Sequence, residues 1–406
     1  MQMENGREGQ VKWSIAVSMA LLIAVVAAIG QGTSAGDGQR QAALVLEQQG
    51  RVSDAEAAWQ AVAKAHPTDA EAYAHLGLLQ AQEAHYKEAV PFYRRALALN
   101  PRMPGLQLDL GLAYFKGGDL KSALATFGPL LRAAPRESPE ALRLTTLIGL
   151  ADYGLGAYAS AIPHLKRATA ADPQNLPFRL ALAHSCLWTK QYQCVLDVYH
   201  EIVTLNADSA EADMLAGEAL DEMKDRTGAV QQFRAAVKAD PKMPDVHFGL
   251  GYLLWGSLQF DEAAKEFQAE LDNNPDQAQA LTYLGDCAMQ LEQPDTATPL
   301  LEKAIRIAPK IEQAHLDLGI LYDKAGRHDD ALRELKTAER LNPEDQAVHW
   351  RLARFYKEIG RNEEAKIEFE KTRSLQKAAD ESVSDKLHQA QEQEKAAQQS
   401  QSSPKQ

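Results

Sequence analysis

Between Gly36 and Ala379 the apolar positions recur at helical spacing rather than in alternation. Around the stretch His75–Pro101, HLGLLQAQEAHYKEAVPFYRRALALNP, the slots Tyr73, Leu76, Gly77 and Gln80 fall at i, i+3, i+4 and i+7, with Gln80 the polar exception. His315–Pro343, HLDLGILYDKAGRHDDALRELKTAERLNP, repeats the arrangement: a small residue early, an alanine midway, a bulky apolar residue after it and a closing proline. Each such segment has room for two helices of about 12–14 residues and two short turns, an antiparallel helical hairpin.

The prolines measure the period. Pro67, Pro101 and Pro135 are 34 residues apart, as are Pro241, Pro275, Pro309 and Pro343. Pro173 lies 38 residues after Pro135 and 68 before Pro241, which fits a four-residue insertion near 137–141 and one unit with Ala207 in place of proline. Twelve residues before the closing position stands Ala55, Ala89, Ala123, Ala161, Val195, Ala229, Ala263, Ala297, Ala331 or Ala365. Eight before it stands a bulky residue such as Trp59, Tyr93, Phe127, Phe233 or Phe267, and twenty-four before it a small one such as Gly77, Gly217, Gly251 or Gly319. Small residues let two helix backbones approach, the bulky one fills the gap beside them, and proline stops the second helix because it lacks a donor. No single unit can bury its apolar face, so the units must stack into one continuous core.

The runs Tyr73-Leu76-Gly77-Ala89-Tyr93-Ala96-Pro101 and Leu110-Gly111-Tyr114-Ala123-Phe127-Pro135 resemble the tetratricopeptide repeat family. The resemblance implies an all-α fold, a right-handed superhelical solenoid of about ten helix–turn–helix repeats over residues 36–379. It also implies that the first helix of each unit lines the concave face, and that the protein is a binding scaffold for proteins or peptides. The basic and asparagine residues by which some relatives clamp a terminal carboxylate are absent from the matching slots, which disfavours a chaperone-tail receptor.

The flanks are different material. Trp13–Gly30, WSIAVSMALLIAVVAAIG, is an uncharged apolar run preceded by Arg7 and Lys12 and followed by small residues that include Thr33 and Ala35. Residues 1–35 therefore read as a signal peptide or N-terminal membrane anchor, with the array exported and membrane contact through residues 13–30 if they are retained. Residues 380–406 have no sustained apolar face and read as a polar tail that extends the last helix briefly and then becomes disordered. A formal net charge of −13 argues against nucleic acid as a partner. No phosphate loop, dinucleotide fingerprint, nucleophile elbow or HExxH motif occurs, and the eleven histidines are scattered. No enzyme activity, cofactor or metal site is therefore expected. Cys186 and Cys194 stand on opposite arms of the fifth hairpin, about equally far from its turn, and are a candidate disulfide in an oxidising compartment, with two buried free thiols the alternative.

Within the array, the first helix of the seventh unit has an apolar stripe beyond what stacking needs. His247, Leu250, Gly251 and Leu254 form the packing stripe, while Phe248, Tyr252 and Trp255 form a second one rotated by about 100°. Equivalent slots hold Leu180, His184 and Leu187, with Trp188 beside them, then Met214, Glu218 and Asp221, and then Thr282, Asp286 and Met289 next to Tyr283. Together they predict an aromatic groove edged by acids, suited to a partner segment with basic and apolar character. The competing expectation is that the rings fill contacts between neighbouring units. The scaffold reading has an alternative: an accessory or assembly subunit of polysaccharide export or secretion machinery, with a glycan ligand.

Overall fold

The computed structural model describes residues 35–205 and 209–401. The apolar run at 13–30 and Ala207 lie outside the described residues. All described secondary structure is helical, twenty helices in succession, and no described helix is long and apolar enough to cross a membrane. The chain divides into two compact units, one ending at Thr126 and the other beginning at Phe127.

In the first unit α1 (Ala35–Gln48) pairs with α2 (Val52–Ala65), and α3 (Ala70–Gln82) with α4 (Tyr86–Leu99). α5 (Leu106–Lys116) follows, and α6 (Leu120–Ala133) spans the junction. The second unit continues with α7 (Pro139–Gly154) and α8 (Tyr158–Ala171), α9 (Leu176–Trp188) and α10 (Tyr192–Leu205), and α11 (Ala210–Glu222) and α12 (Arg226–Ala239). It then runs through α13 (Val246–Gly256) and α14 (Phe260–Asn273), α15 (Ala278–Gln290) and α16 (Pro294–Ile307), and α17 (Glu312–Lys324) and α18 (His328–Leu341). α19 (Gln346–Glu358) and α20 (Asn362–Gln401) close the array. Within each unit second helices also pack on the first helix of the next pair, as α4 does on α5 and α14 on α15.

The repeating slots meet as their sizes dictate. A Cβ built on Gly251 would lie 2.9 Å from the ring of Phe267, sixteen residues later in the same hairpin. The small and bulky slots meet in the same way at Gly77 and Tyr93, and at Gly319 and Leu335. The mid-unit alanines from Ala55 to Ala331 are fully buried, which leaves no volume for a larger side chain. All eight periodic prolines fall in the loops between hairpins, where the sequence expects helix breaks. Pro91, Pro129, Pro163 and Pro299 sit inside second helices, so proline as such did not mark every boundary.

Three departures from the period have local causes. The insertion near 137–141 is absorbed by the loop before α7 and by α7 itself, 16 residues long against 11–14 for the other first helices. In α5 and α13, each 11 residues, a second proline (Pro104, Pro244) delays the helix, and the next residue turns left-handed: Gly105 at φ 76° and Asp245 at φ 63°. Finally, α20 runs 40 residues to Gln401, further than the brief extension expected for 380–406. Its Ala, Gln, Glu and Lys favour helix even without an apolar face, and Pro404 is the next breaker.

Candidate functional site

The helix that carries Phe248, Tyr252 and Trp255 is fixed from both sides. Asp245 is left-handed and its side chain does not cap α13. Instead Glu270 of α14, 2% exposed, accepts hydrogen bonds from the backbone N–H of Asp245 at 3.3 Å and of Phe248 at 3.1 Å. A buried carboxylate at a helix N-terminus satisfies orphan donors and complements the helix dipole. On the opposite side Phe233 of α12 is wedged between two first helices. A Cβ at Gly217 would lie 2.6 Å from its ring and one at Gly249 only 2.2 Å. His247 adds a hydrogen-bond contact of 2.6 Å from Nδ1 to Glu266.

Held this way, the aromatic stripe converges on Tyr283 of α15. Its ring centroid lies 5.9 Å from Phe248, 5.4 Å from Tyr252 and 5.0 Å from Trp255, the last two edge-on at 83° and 70°. Edge-to-face packing at these distances is the arrangement ring quadrupoles favour. Phe248 also rests on Phe267 of its own hairpin at 5.8 Å, so the inner end of the stripe packs against the core. Tyr252, 40% exposed, is the open end. Burial, aided by Tyr252, Asp286 and Asp317, raises the Tyr283 hydroxyl above its ordinary range.

The expected acidic rim is corrected at Asp286. It is 6% exposed, accepts the indole N–H of Trp255 on Oδ2 at 2.5 Å and takes the Gln290 amide on Oδ1 at 3.2 Å. Sequence spacing placed it on the right face but could not show that Trp255 would reach across a repeat to it. Thr282 is buried and bonds the Ala278 carbonyl. Asp221 pairs with Arg226 at 3.2 Å. Glu218 is accessible yet crowded enough that desolvation pushes its carboxyl above the ordinary range, with His184 opposing. Met214 and Met289 are half-buried and pack on the same core as the rings.

The fifth-hairpin residues form a separate patch. His184 meets Glu211 at 3.2 Å, Leu180 and Leu187 pack on their own apolar cluster, and Trp188, 66% exposed, stacks on Tyr158 at 5.7 Å. In the same hairpin Cys186 of α9 is joined to Cys194 of α10, with Cα atoms 5.9 Å apart. Cys287 is a buried free thiol pushed up to about 12 by burial.

Sequence reasoning missed two further positions on the ring face. The slot of Tyr283 recurs at 34-residue steps as Gly249, Asp317 and Arg351. Asp317 is 2% exposed, and Arg351 is half-buried with its guanidinium 4.8 Å from the ring of Trp350. Stepping the Tyr283 slot forward would have found both. His315 and His349 are structural: each reaches a glutamate through Nδ1 at 2.7 Å and a proline carbonyl through Nε2, tying a hairpin to the loop before it. Around His349 the carboxylates of Glu339 and Glu368 already share Lys371, at 3.1 and 3.3 Å.

Known proteins resemble this chain in its repeats. BBS4 of Bos taurus, a BBSome complex member, is 27% identical over 204 residues, 50% of this chain and 38% of its own length. The CTR9 homolog of Arabidopsis thaliana is 23% identical over 285 residues, 68% of this chain and 26% of its own length. The chain thus spans well under half the length of either curated relative. Among solved structures, YrrB, a tetratricopeptide repeat protein with an unusual peptide-binding site, is 19% identical with a TM-score of 0.38, covering 44% of this chain and 92% of its own. Two tetratricopeptide repeat models match, one over residues 40–104 and 248–310, the other over 78–148, 153–219, 288–341 and 324–377. These matches cover more than half of the chain, and the chain belongs to the tetratricopeptide repeat family.

Proposed function

We propose that this chain is a non-catalytic scaffold of the cell envelope that receives a peptide segment of a protein partner on the ring platform of α13 and α15. One observation carries the reading: Tyr252 stands 40% exposed on top of a rigid cluster formed by Phe248, Trp255, Tyr283 and Phe267. A large ring already fixed by its neighbours loses little conformational freedom on binding, and its remaining apolar area is available to a partner. The envelope location rests on the apolar run at 13–30, and the Cys186–Cys194 bond suits an oxidising compartment.

The test is recovery of partners from solubilised envelopes on immobilised wild type and on Tyr252→Ala. Tyr252 is the most exposed ring of the cluster, so its removal should leave the helical signal and melting nearly unchanged while partner recovery falls at least about tenfold. Equal recovery on both, or recovery of glycan rather than protein, would overturn the proposal. Full-length protein found only in the cytoplasmic fraction would remove its envelope part.

A further inference from the structure

Resting on the platform reading, we infer that Asp317 anchors a cationic side chain, arginine or lysine, of the bound segment. Asp317 lies on α17, one repeat beyond Tyr283 in the same slot. Its Oδ1 accepts from the Gln313 amide at 2.8 Å, while its Oδ2 is buried with no hydrogen-bond partner. A buried carboxylate oxygen left without a donor is costly, and such atoms in native proteins call for a missing partner.

The surroundings specify that partner's charge. Asp286 on α15 and Glu312 on α17 face Asp317 with like charge, and Arg351 on α19 is the opposing cation. Arg351 does not neutralise it: among the described residues no ion pair joins them, and the guanidinium lies over Trp350 instead. Burial first, then Asp286, hold the Asp317 carboxyl well above its ordinary range. An incoming guanidinium or ammonium supplies the donors that Oδ2 lacks. The Asp317 charge is felt by Tyr283, whose ring meets that of Trp255 at 5.0 Å, and aromatic faces attract cations.

The test uses full-length protein and blocked peptides of leucine, tyrosine and serine with one variable position: arginine, lysine, citrulline or glutamate. Wild type should bind the arginine and lysine peptides about tenfold more tightly than the citrulline peptide, since a charge-assisted bond to a desolvated carboxylate is lost with the charge. Asp317→Asn should abolish the preference, and Arg351→Gln, which removes the competing cation, should strengthen the arginine peptide.

Equal affinity for arginine and citrulline peptides, or no binding of the arginine peptide, overturns the anchor, and neither result needs a variant. A preference retained in Asp317→Asn overturns it as well. If Tyr252→Ala loses every peptide while Asp317→Asn keeps the preference, the platform stands and the anchor falls. If Tyr252→Ala binds the arginine peptide normally and Asp317→Asn does not, the platform falls and the anchor stands.

Discussion

Trp255 donates its indole N–H to Asp286 at 2.5 Å, linking the first helices of the seventh and eighth hairpins through two side chains 31 residues apart. The bond changes what Trp255 is for. A ring expected on the open wall of a groove also fastens one repeat to the next, and the acid expected at the rim is its acceptor.

Trp255→Phe and Asp286→Ala should therefore each destabilise by about 1–3 kcal/mol, the penalty of leaving a buried hydrogen-bonding group alone. The double variant should cost clearly less than the two together, as partners in contact do not add. Urea unfolding of the four proteins measures the coupling. Strict additivity would mean that the two residues do not act on one another.

Phe233 sets a second expectation. Alanine at Gly249 gains about 1 kcal/mol of helix propensity. It also places a methyl 2.2 Å from a ring already pressed by Gly217. Overpacking of this kind costs about 1–3 kcal/mol, so Gly249→Ala should be net destabilising. Phe233→Leu in the same chain should recover part of the loss. Thermal melts that rise in Gly249→Ala would show that the ring moves aside freely.

Stability should vary with pH through Asp317. The buried group's folded pKa is raised well above the ordinary carboxylate range, chiefly by burial. Below the unfolded value both states are protonated and nothing is lost. As pH rises from there toward the folded value the unfolded chain ionises first, so stability falls. Asp317→Asn should remove this slope, and its stability relative to wild type should grow from pH 4 to pH 7. A pH-independent difference between the two would place the carboxyl in solvent.

The fifth hairpin makes a covalent prediction. Denatured without reductant, the chain should take one alkyl group, on Cys287, and three after reduction. Reduction should also lower stability by about 2–3 kcal/mol, the chain-entropy value for so short a loop. Three alkylations without reductant would leave Cys186 and Cys194 as free thiols.

The 34-residue period determined the number of hairpins, the loops at the closing prolines and the meeting of small with bulky slots such as Gly77 with Tyr93. These follow from helix geometry and side-chain volume, both local and repeated ten times. The period also put Phe248, Tyr252 and Trp255 on one face, because three residues spaced by helical turns must share it. Which of them stays open was decided by the tertiary structure. Phe248 is covered by Phe267 as well as by Tyr283 from the next hairpin, Trp255 is held by Asp286, and Tyr252 is left 40% exposed. Glu270 capping α13 from the following helix, and Asp317 left with one oxygen unpartnered, likewise depend on contacts between elements 22–31 residues apart or more. A pattern within one helix gives the direction of each side chain. The partner it meets there is supplied by another helix, and only packing brings the two together.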